Sequence, residues 1–388
     1  MDFSYSEEQQ QLQDAVTRFV QGDYGFERRK QIVASPEGFS REVWSGLADL
    51  GVLAMTVPEA HGGLGYGAVE TQLAMQAMGP ALLVEPVLAS AVIATALVRD
   101  FGDATAQDEL LPAMAAGERI VVLAHEEAAA RGEVARVEAT ARRDGEGWRL
   151  DGRKAMVLHA DAADELLVSA RIEGAPGDPA GVSLFRVPRG TAGVTLRSCA
   201  TIDARRASDI ELRDVRLPAS ALLGENGGAL PAIERALGIG LAALCAEAVG
   251  VMQATVDATV EYLKTRQQFG RPIGSFQALQ HRTADMLLHL EQARSMSLLA
   301  AMRCTSADDA GRRMALSAAK VVVGQAARFV SQQAVQLHGG MGMTDELVVS
   351  HWFKRLLAVE LAFGGTDHHL QRFARLSQRA AIEAAAAA

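Results

Sequence analysis

Arg266, Phe269 and Gln277 stand close together in the string KTRQQFGRPIGSFQ, and this chemistry is the first to stand out from the chain. A guanidinium is a planar fork of donors that fits the oxygens of a phosphate or pyrophosphate. A second group follows at Gln336-Leu337-His338-Gly339-Gly340-Met341-Gly342. Paired glycines let backbone N–H groups approach a ligand closely, and they serve equally as the C-cap of a helix. A third group is Phe363-Gly364-Gly365-Thr366. Ahead of all three lies Glu247, the one carboxylate in an apolar run from Ala236 to Met252. Burial disfavours the charged form of such a group, which suits removal of a weakly acidic proton. A structural carboxylate bonded to a neighbouring helix is the competing reading.

The element that must position these groups is the stretch Pro231 to Gln277. Pro231 suits a first helical turn, and nothing up to Thr265 interrupts a helix except Gly238, Gly240 and Gly250. Such a helix is roughly 50 Å long and belongs in the middle of a helical bundle. Residues 1–118 read as helices, at about 6–20, 41–50, 68–78, 87–99 and 110–116, with a Pro-Glu-x-x-Gly-Gly loop at Pro58–Gly63. Residues 119–222 read as a β lobe. Its strands are expected at 121–124, 136–142, 148–151, 165–170, 181–187, 194–196 and 210–215, with a hairpin turn at Asp144–Gly147. Residues 223–388 read as helical again, at 275–304, 312–337, 348–361 and 363–376, and the terminal alanine run is expected to fray. The fold class is therefore mainly α with a central β domain.

Composition narrows the function. Hydrophobic content of 49% and charged content of 22% suit a globular chain rather than a disordered one. A net charge of −9 argues against nucleic acid as a partner. Cys199, Cys245 and Cys304 lie far apart, without metal spacing. The start MDFSYSEEQQQL has no signal-peptide core, and the central apolar run is broken by Glu234, Arg235 and Glu247. A cytoplasmic protein without membrane insertion is expected.

The three groups, in this order and spacing, resemble the signatures of the acyl-CoA dehydrogenase family over nearly the whole chain. Within it, wording such as CAEAVG, TVEYLKTR, FGRPIGSFQALQHR and QQAVQLHGG is similar to small subunits of two-chain members acting on pimeloyl-CoA. The resemblance implies a helical domain, a β-barrel-like domain and a C-terminal four-helix bundle. It implies FAD as cofactor and α,β-dehydrogenation of an acyl-CoA thioester, with electrons passed to an electron-transfer flavoprotein. By the same resemblance Arg266 reaches the flavin of a neighbouring subunit, and Phe269 belongs to the cofactor-binding set. Gln277, Gln336, Gly339, Gly340 and Thr366 contact the cofactor, and Gly364 offers its N–H to a thioester oxygen. The partner is a larger homologous subunit in an α2β2 assembly, or a second copy of this chain.

The chain also departs from that family. The usual Thr-Glu-Pro turn beside the flavin is Glu126-Glu127-Ala128, and the usual Trp-bearing strand is Met156-Val157-Leu158-His159. Contacts to the flavin edge then fall to backbone, or to a side chain such as His159. The family places its catalytic glutamate at the position of Gly364 or, in a subset, of Gly240. Neither position holds a carboxylate. Glu247, Glu360 and Asp367 are the candidates to replace it, with Glu247 foremost. Gly238, Gly240, Ala242, Ala243 and Gly364 remove bulk, so a long, dicarboxylic or ring-bearing acyl chain is expected. A base supplied by the partner, or a changed reaction on the same scaffold, are the alternatives.

Overall fold

A computed structural model describes residues 5–387. The ends of the expected domains 1–118 and 223–388, at residues 1–4 and 388, lie outside the described residues. Helices α1 (Glu7–Asp23), α2 (Phe26–Ala34), α3 (Arg41–Asp49) and α4 (Ala68–Met78) open the chain. A π-helix at Val87–Ala94, α5 (Thr95–Phe101) and α6 (Ala104–Ala115) follow. Next come strands β1 (Val121–Ala124), β2 (Thr140–Asp144), β3 (Gly147–Leu158), β4 (Glu165–Arg171), β5 (Val182–Pro188), β6 (Val194–Ala200), β7 (Arg206–Leu217) and β8 (Leu222–Leu223). Helix α7 (Leu230–Thr265), a small hairpin of β9 (Gln267–Gln268) and β10 (Arg271–Pro272), and helices α8 (Gln277–Arg303), α9 (Asp309–His338), α10 (Val348–Leu361) and α11 (Thr366–Ala387) complete it.

The chain divides into two compact units, and the first 118 residues are shared between them. One unit combines the segment up to Arg29, Ala68–Leu83 and the chain from Leu241 onward; the other holds Lys30–Gly67 and Val84–Gly240. The first unit is a helical bundle. Its helix starts carry their own caps: the Ser6 hydroxyl and the Gln9 side chain form a reciprocal capping box on α1, and Asp308 accepts the N–H of Gly311 at the start of α9. Its core runs through Leu244, Val251, Met286, Leu290, Val323, Val330 and Leu356, all buried. Gly250 in α7 is a point of close approach: a Cβ there would meet the carbonyl oxygen of Gln76. The Trp352 indole ties α10 to the end of α4 by donating to the Pro80 carbonyl at 2.9 Å.

The second unit is built on a sheet in the order β6-β7-β3-β2-β4-β5-β8, with β1 paired in parallel to β4. β4 and β5 are buried almost throughout, as expected for strands covered on both faces. The β3–β7 pairing shifts register between Lys154 and Val157, and Met156 within that bulge has φ +51°.

Several boundaries differ from the sequence reading. α2 was not expected; its FERRKQIVA has little apolar periodicity, although Ile32 is buried. The segment 87–99 is a π-helix followed by α5 rather than one helix. α6 begins at Ala104, where the Asp103 carboxylate accepts the N–H of Ala106. β2 starts only at Thr140 because the Glu127 carboxylate takes the N–H groups of Glu138 and Ala139, at 2.7 and 3.1 Å. α11 runs as far as Ala387, in keeping with the helix propensity of alanine.

Candidate functional site

In the helical unit, α7 ends by delivering a short arm. Gln268–Arg271 is a two-residue hairpin turn with Phe269 at φ +55° and Gly270 at φ +76°. The Phe269 ring stands at the tip, 90% exposed, edge-on to Phe276. Arg271 lies over the Phe276 ring at 4.2 Å. Arg266 and Gln277 are exposed on the same arm, and α8 begins at Gln277 without a side-chain cap. A long helix that starts this way presents backbone N–H groups and a positive dipole end to an anion.

The second motif is joined to this arm. The Tyr262 ring, in the last turns of α7, stacks on His338 with centroids 4.4 Å apart. The His338 Nδ1 contacts the Ala334 carbonyl at 2.8 Å, and burial lowers the pKa of the imidazole. Beyond His338 the chain turns at Gly339, φ +62°. Gln336, Gly339 and Gly340 are exposed, and a Cβ on either glycine would meet nothing within 4 Å. Packing inside this chain therefore does not require glycine at Gly340; the open space above the pair is a cradle that a side chain would fill.

The third motif is a tightly held turn. Phe363 and Gly364 both have positive φ, +56° and +95°. Lys320, fully buried on α9, donates to the carbonyls of Glu360 at 2.7 Å and Gly364 at 3.0 Å. Burial lowers the pKa of this amine, opposed by Cys245 and Glu360. His369 Nε2 contacts the Phe363 carbonyl at 2.9 Å. Burial holds that imidazole down to about 4, so it is neutral at pH 7. Glu360 Oε1 accepts the Thr366 N–H at 3.1 Å and caps α11. Asp367 is exposed at the start of that helix.

Glu247 is not a lone carboxylate. Arg355 of α10 engages both of its oxygens, and both side chains are buried. The expectation of a proton acceptor there is corrected by this geometry: the oxygens needed to take a proton already accept guanidinium N–H groups, as in the structural alternative. No local pattern points to the partner, which lies 108 residues away.

In the sheet unit, His159 is buried at φ +59°, with its N–H donating to the Arg206 carbonyl at 2.9 Å. It is the His159 backbone N–H that makes this bond, which holds the corner, while the ring is buried within the unit. Met156 is an exposed large apolar side chain on β3. Sequence reading also missed the buried Lys154, whose ammonium donates to Glu127 Oε1 at 2.6 Å and to Ser169 Oγ at 2.9 Å. Its strand parity with Trp148 and Leu150 was the available signal. Burial lowers the pKa of Lys154, opposed by Glu127. The neighbouring His125 is held near 3 by burial and by the Lys154 charge. Partial loss of water raises the Glu126 carboxyl, opposed by a backbone hydrogen bond from Gly132 and by Lys154.

Comparison with known proteins matches this arrangement along the chain. The acyl-CoA dehydrogenase N-terminal, middle and C-terminal domain models match residues 6–118, 123–215 and 226–377. The acyl-CoA dehydrogenase FadE12 of Mycobacterium tuberculosis is 33% identical over 353 residues, covering 90% of both chains. Among solved structures, the Tcur3481-Tcur3483 steroid ACAD variant is 30% identical with a TM-score of 0.87, covering 97% of this chain and 99% of that one. The ChsE4-ChsE5 complex from Mycobacterium tuberculosis is 28% identical with a TM-score of 0.85, covering 97% and 98%.

Proposed function

The chain belongs to the acyl-CoA dehydrogenase family, and from that premise we propose that it is the smaller chain of a heteromeric enzyme for a long, dicarboxylic or ring-bearing acyl-CoA. Its coarse activity is that of the family, FAD-dependent dehydrogenation of an acyl-CoA thioester. The observation that carries the finer reading is the turn at Phe363–Thr366. It has no carboxylate at Gly364, yet three buried or capping side chains hold it in place. A turn kept this firmly while lacking a side chain serves through its backbone. The steroid ACAD and the ChsE4-ChsE5 complex among similar structures support a bulky substrate and a two-chain assembly.

The residues fit a flavin dinucleotide. Arg266, Gln277 and the uncapped start of α8 would hold its phosphates, and the open cradle at Gly339–Gly340 with Gln336 would take further cofactor atoms through backbone and amide groups. Thr366 lies on the pinned turn, and the Gly364 N–H suits a thioester oxygen. The Phe269 tip, exposed on its own chain, suits insertion into a neighbouring subunit. FAD, when bound, supplies the two-electron acceptor. The chain's residues orient the thioester, exclude water and handle the α-proton. An electron-transfer flavoprotein would reoxidise the assembly, and a cytoplasmic location is part of the same reading.

A second reading is favoured by the Glu247–Arg355 pair and the Glu360 cap, which occupy two candidate carboxylates. In it this chain completes the flavin site while the partner carries the base. The test is purification of the native assembly, its absorbance spectrum and a thioester screen. Two homologous chains, bound flavin and preference for long or ring-bearing thioesters are expected. A fully active homotetramer of this chain preferring butyryl-CoA would overturn the proposal.

A further inference from the structure

We propose that Phe276 and Arg271 are positioning residues for subunit assembly: together they hold Phe269, at the tip of the arm, in a strained and ready-made pose for entry into a neighbouring subunit. This rests on the assembly proposed above and adds to it what keeps the arm in shape.

The turn itself demands a restraint. A two-residue hairpin loop of this kind needs positive φ at both central residues, which is why Asn-Gly and Gly-Gly pairs dominate it. Here the pair is Phe269-Gly270, at φ +55° and +76°. Gly270 adopts such a value freely, but a bulky side chain at positive φ is strained. The Phe269 ring is also 90% exposed, so burial within its own chain does not offset that strain. An outlier of this sort persists only where its surroundings over-determine it.

The restraint comes from one ring. Phe276 stands edge-on to Phe269, with centroids 6.0 Å apart and planes at 87°. The guanidinium of Arg271 lies 4.2 Å from the centroid of the same ring. An edge-to-face aromatic pair and a cation over a ring are both attractive. No carboxylate stands between Glu261 and Asp285, so no acid on the arm competes for Arg271. The root is closed by backbone: the Ile273 N–H donates to the Arg266 carbonyl at 2.9 Å, and the Phe276 N–H to the Ile273 carbonyl at 3.1 Å. Gly274 sits against α7, where a Cβ would meet the Leu263 carbonyl oxygen at 2.9 Å. A fixed root thus carries the Phe276 ring, and that ring carries the exposed tip. An exposed aromatic ring among arginines is the chemistry of a protein–protein contact.

A pre-set pose acts on the encounter. When only a fraction of arms holds it, apparent affinity falls by that fraction. Loss of the clamp therefore slows association and leaves dissociation of a seated arm unchanged. Loss of a contact made across the interface raises the dissociation rate instead.

The test measures association and dissociation rate constants in the native assembly, by mixing donor- and acceptor-labelled subunits. Phe276→Leu should slow association about tenfold, with dissociation within about twofold of wild type, as for a pose held about a tenth of the time. Phe276→Trp keeps an aromatic face and should stay within about threefold of wild type, with Arg271→Ala between the two. Phe269→Ala removes the tip and should raise the dissociation rate. In the full chain diluted below assembly, 4-fluorophenylalanine in place of Phe269 should give a fluorine resonance displaced by the Phe276 ring, and Arg271→Ala should reduce the displacement. Should Phe276→Leu fail to fold, Arg271→Ala and the fluorine signal decide. Wild-type association in the Phe276 and Arg271 variants, a raised dissociation rate in them, or a fluorine signal indifferent to Arg271 overturns the positioning role. Phe269→Ala with wild-type rates in both directions is a different result, as is a chain that purifies as a monomer: either one overturns the proposed seating of the arm in a neighbour.

Discussion

Arg355 grips Glu247 with two parallel hydrogen bonds, Nε to Oε1 at 2.8 Å and Nη2 to Oε2 at 2.5 Å, in the buried interior of the helical unit. Bidentate geometry of this kind is among the stronger arrangements for a charge pair. Removing one member leaves the other buried and uncompensated, which costs about 3–5 kcal/mol. Glu247→Gln is therefore expected to lower denaturation midpoints sharply. The apolar double variant Glu247→Leu/Arg355→Met should recover much of that loss. Equal stability of Glu247→Gln and wild type, combined with slow flavin reduction, would return the carboxylate to a catalytic role.

The turn at Gly364 predicts a steric effect that is independent of any ligand. Gly364→Ala must hold an L residue at φ +95° and bring its methyl against His368. Strained backbone of this sort costs about 1–3 kcal/mol. Urea unfolding should show the loss, and combining it with His368→Ala should relieve the steric part only. A neutral effect of Gly364→Ala would mean that the turn has another accessible conformation.

Acid sensitivity follows from His369. Its folded pKa of about 4 lies below the ordinary value of 6.5, chiefly through burial. The unfolded state thus binds the proton more readily, and the stability contribution is present above pH 6.5 and lost as pH falls towards 4. At pH 5 the loss is on the order of 2 kcal/mol. His369→Gln should flatten the fall in unfolding free energy between pH 7 and pH 5. An unchanged slope in that variant would assign the acid response to other groups, such as His125.

Arg266 is exposed at the root of the arm and belongs to no ion pair found among the described residues. Arg266→Ala should leave the folded chain's melting behaviour within about 0.5 kcal/mol of wild type, as expected for a surface residue. Its flavin-to-protein absorbance ratio and the assembled fraction by analytical ultracentrifugation should fall together. Loss of flavin with intact assembly would confine Arg266 to the cofactor alone.

Much of this was legible because periodicity and breakers are local. Helices α4, α7 and α10 and strand β1 begin and end within a residue or so of where their patterns do. The turn glycines and the arm were equally readable. What could not be read was pairing. Glu247 looks alone along α7 because its counterion belongs to a different helix, and a residue's neighbours along the chain say nothing about a partner that only folding supplies. The burial of the His159 ring likewise depends on a corner that only folding forms. Lys320 sits on the same stripe of α9 as Leu316, Ala319 and Val323. That pattern marks it as buried but not as the donor to a turn some forty residues on.

The stack of Tyr262 on His338 has a thermodynamic corollary. It joins the root of the arm to the glycine corner, so two motifs distant in sequence are in direct contact. Where the arm enters a neighbour and the corner faces a cofactor, seating one sets the other. Subunit exchange and flavin exchange then become linked equilibria, each shifting the other by the same factor. Dilution of the assembly should release flavin, and added flavin should slow the mixing of tagged and untagged subunits.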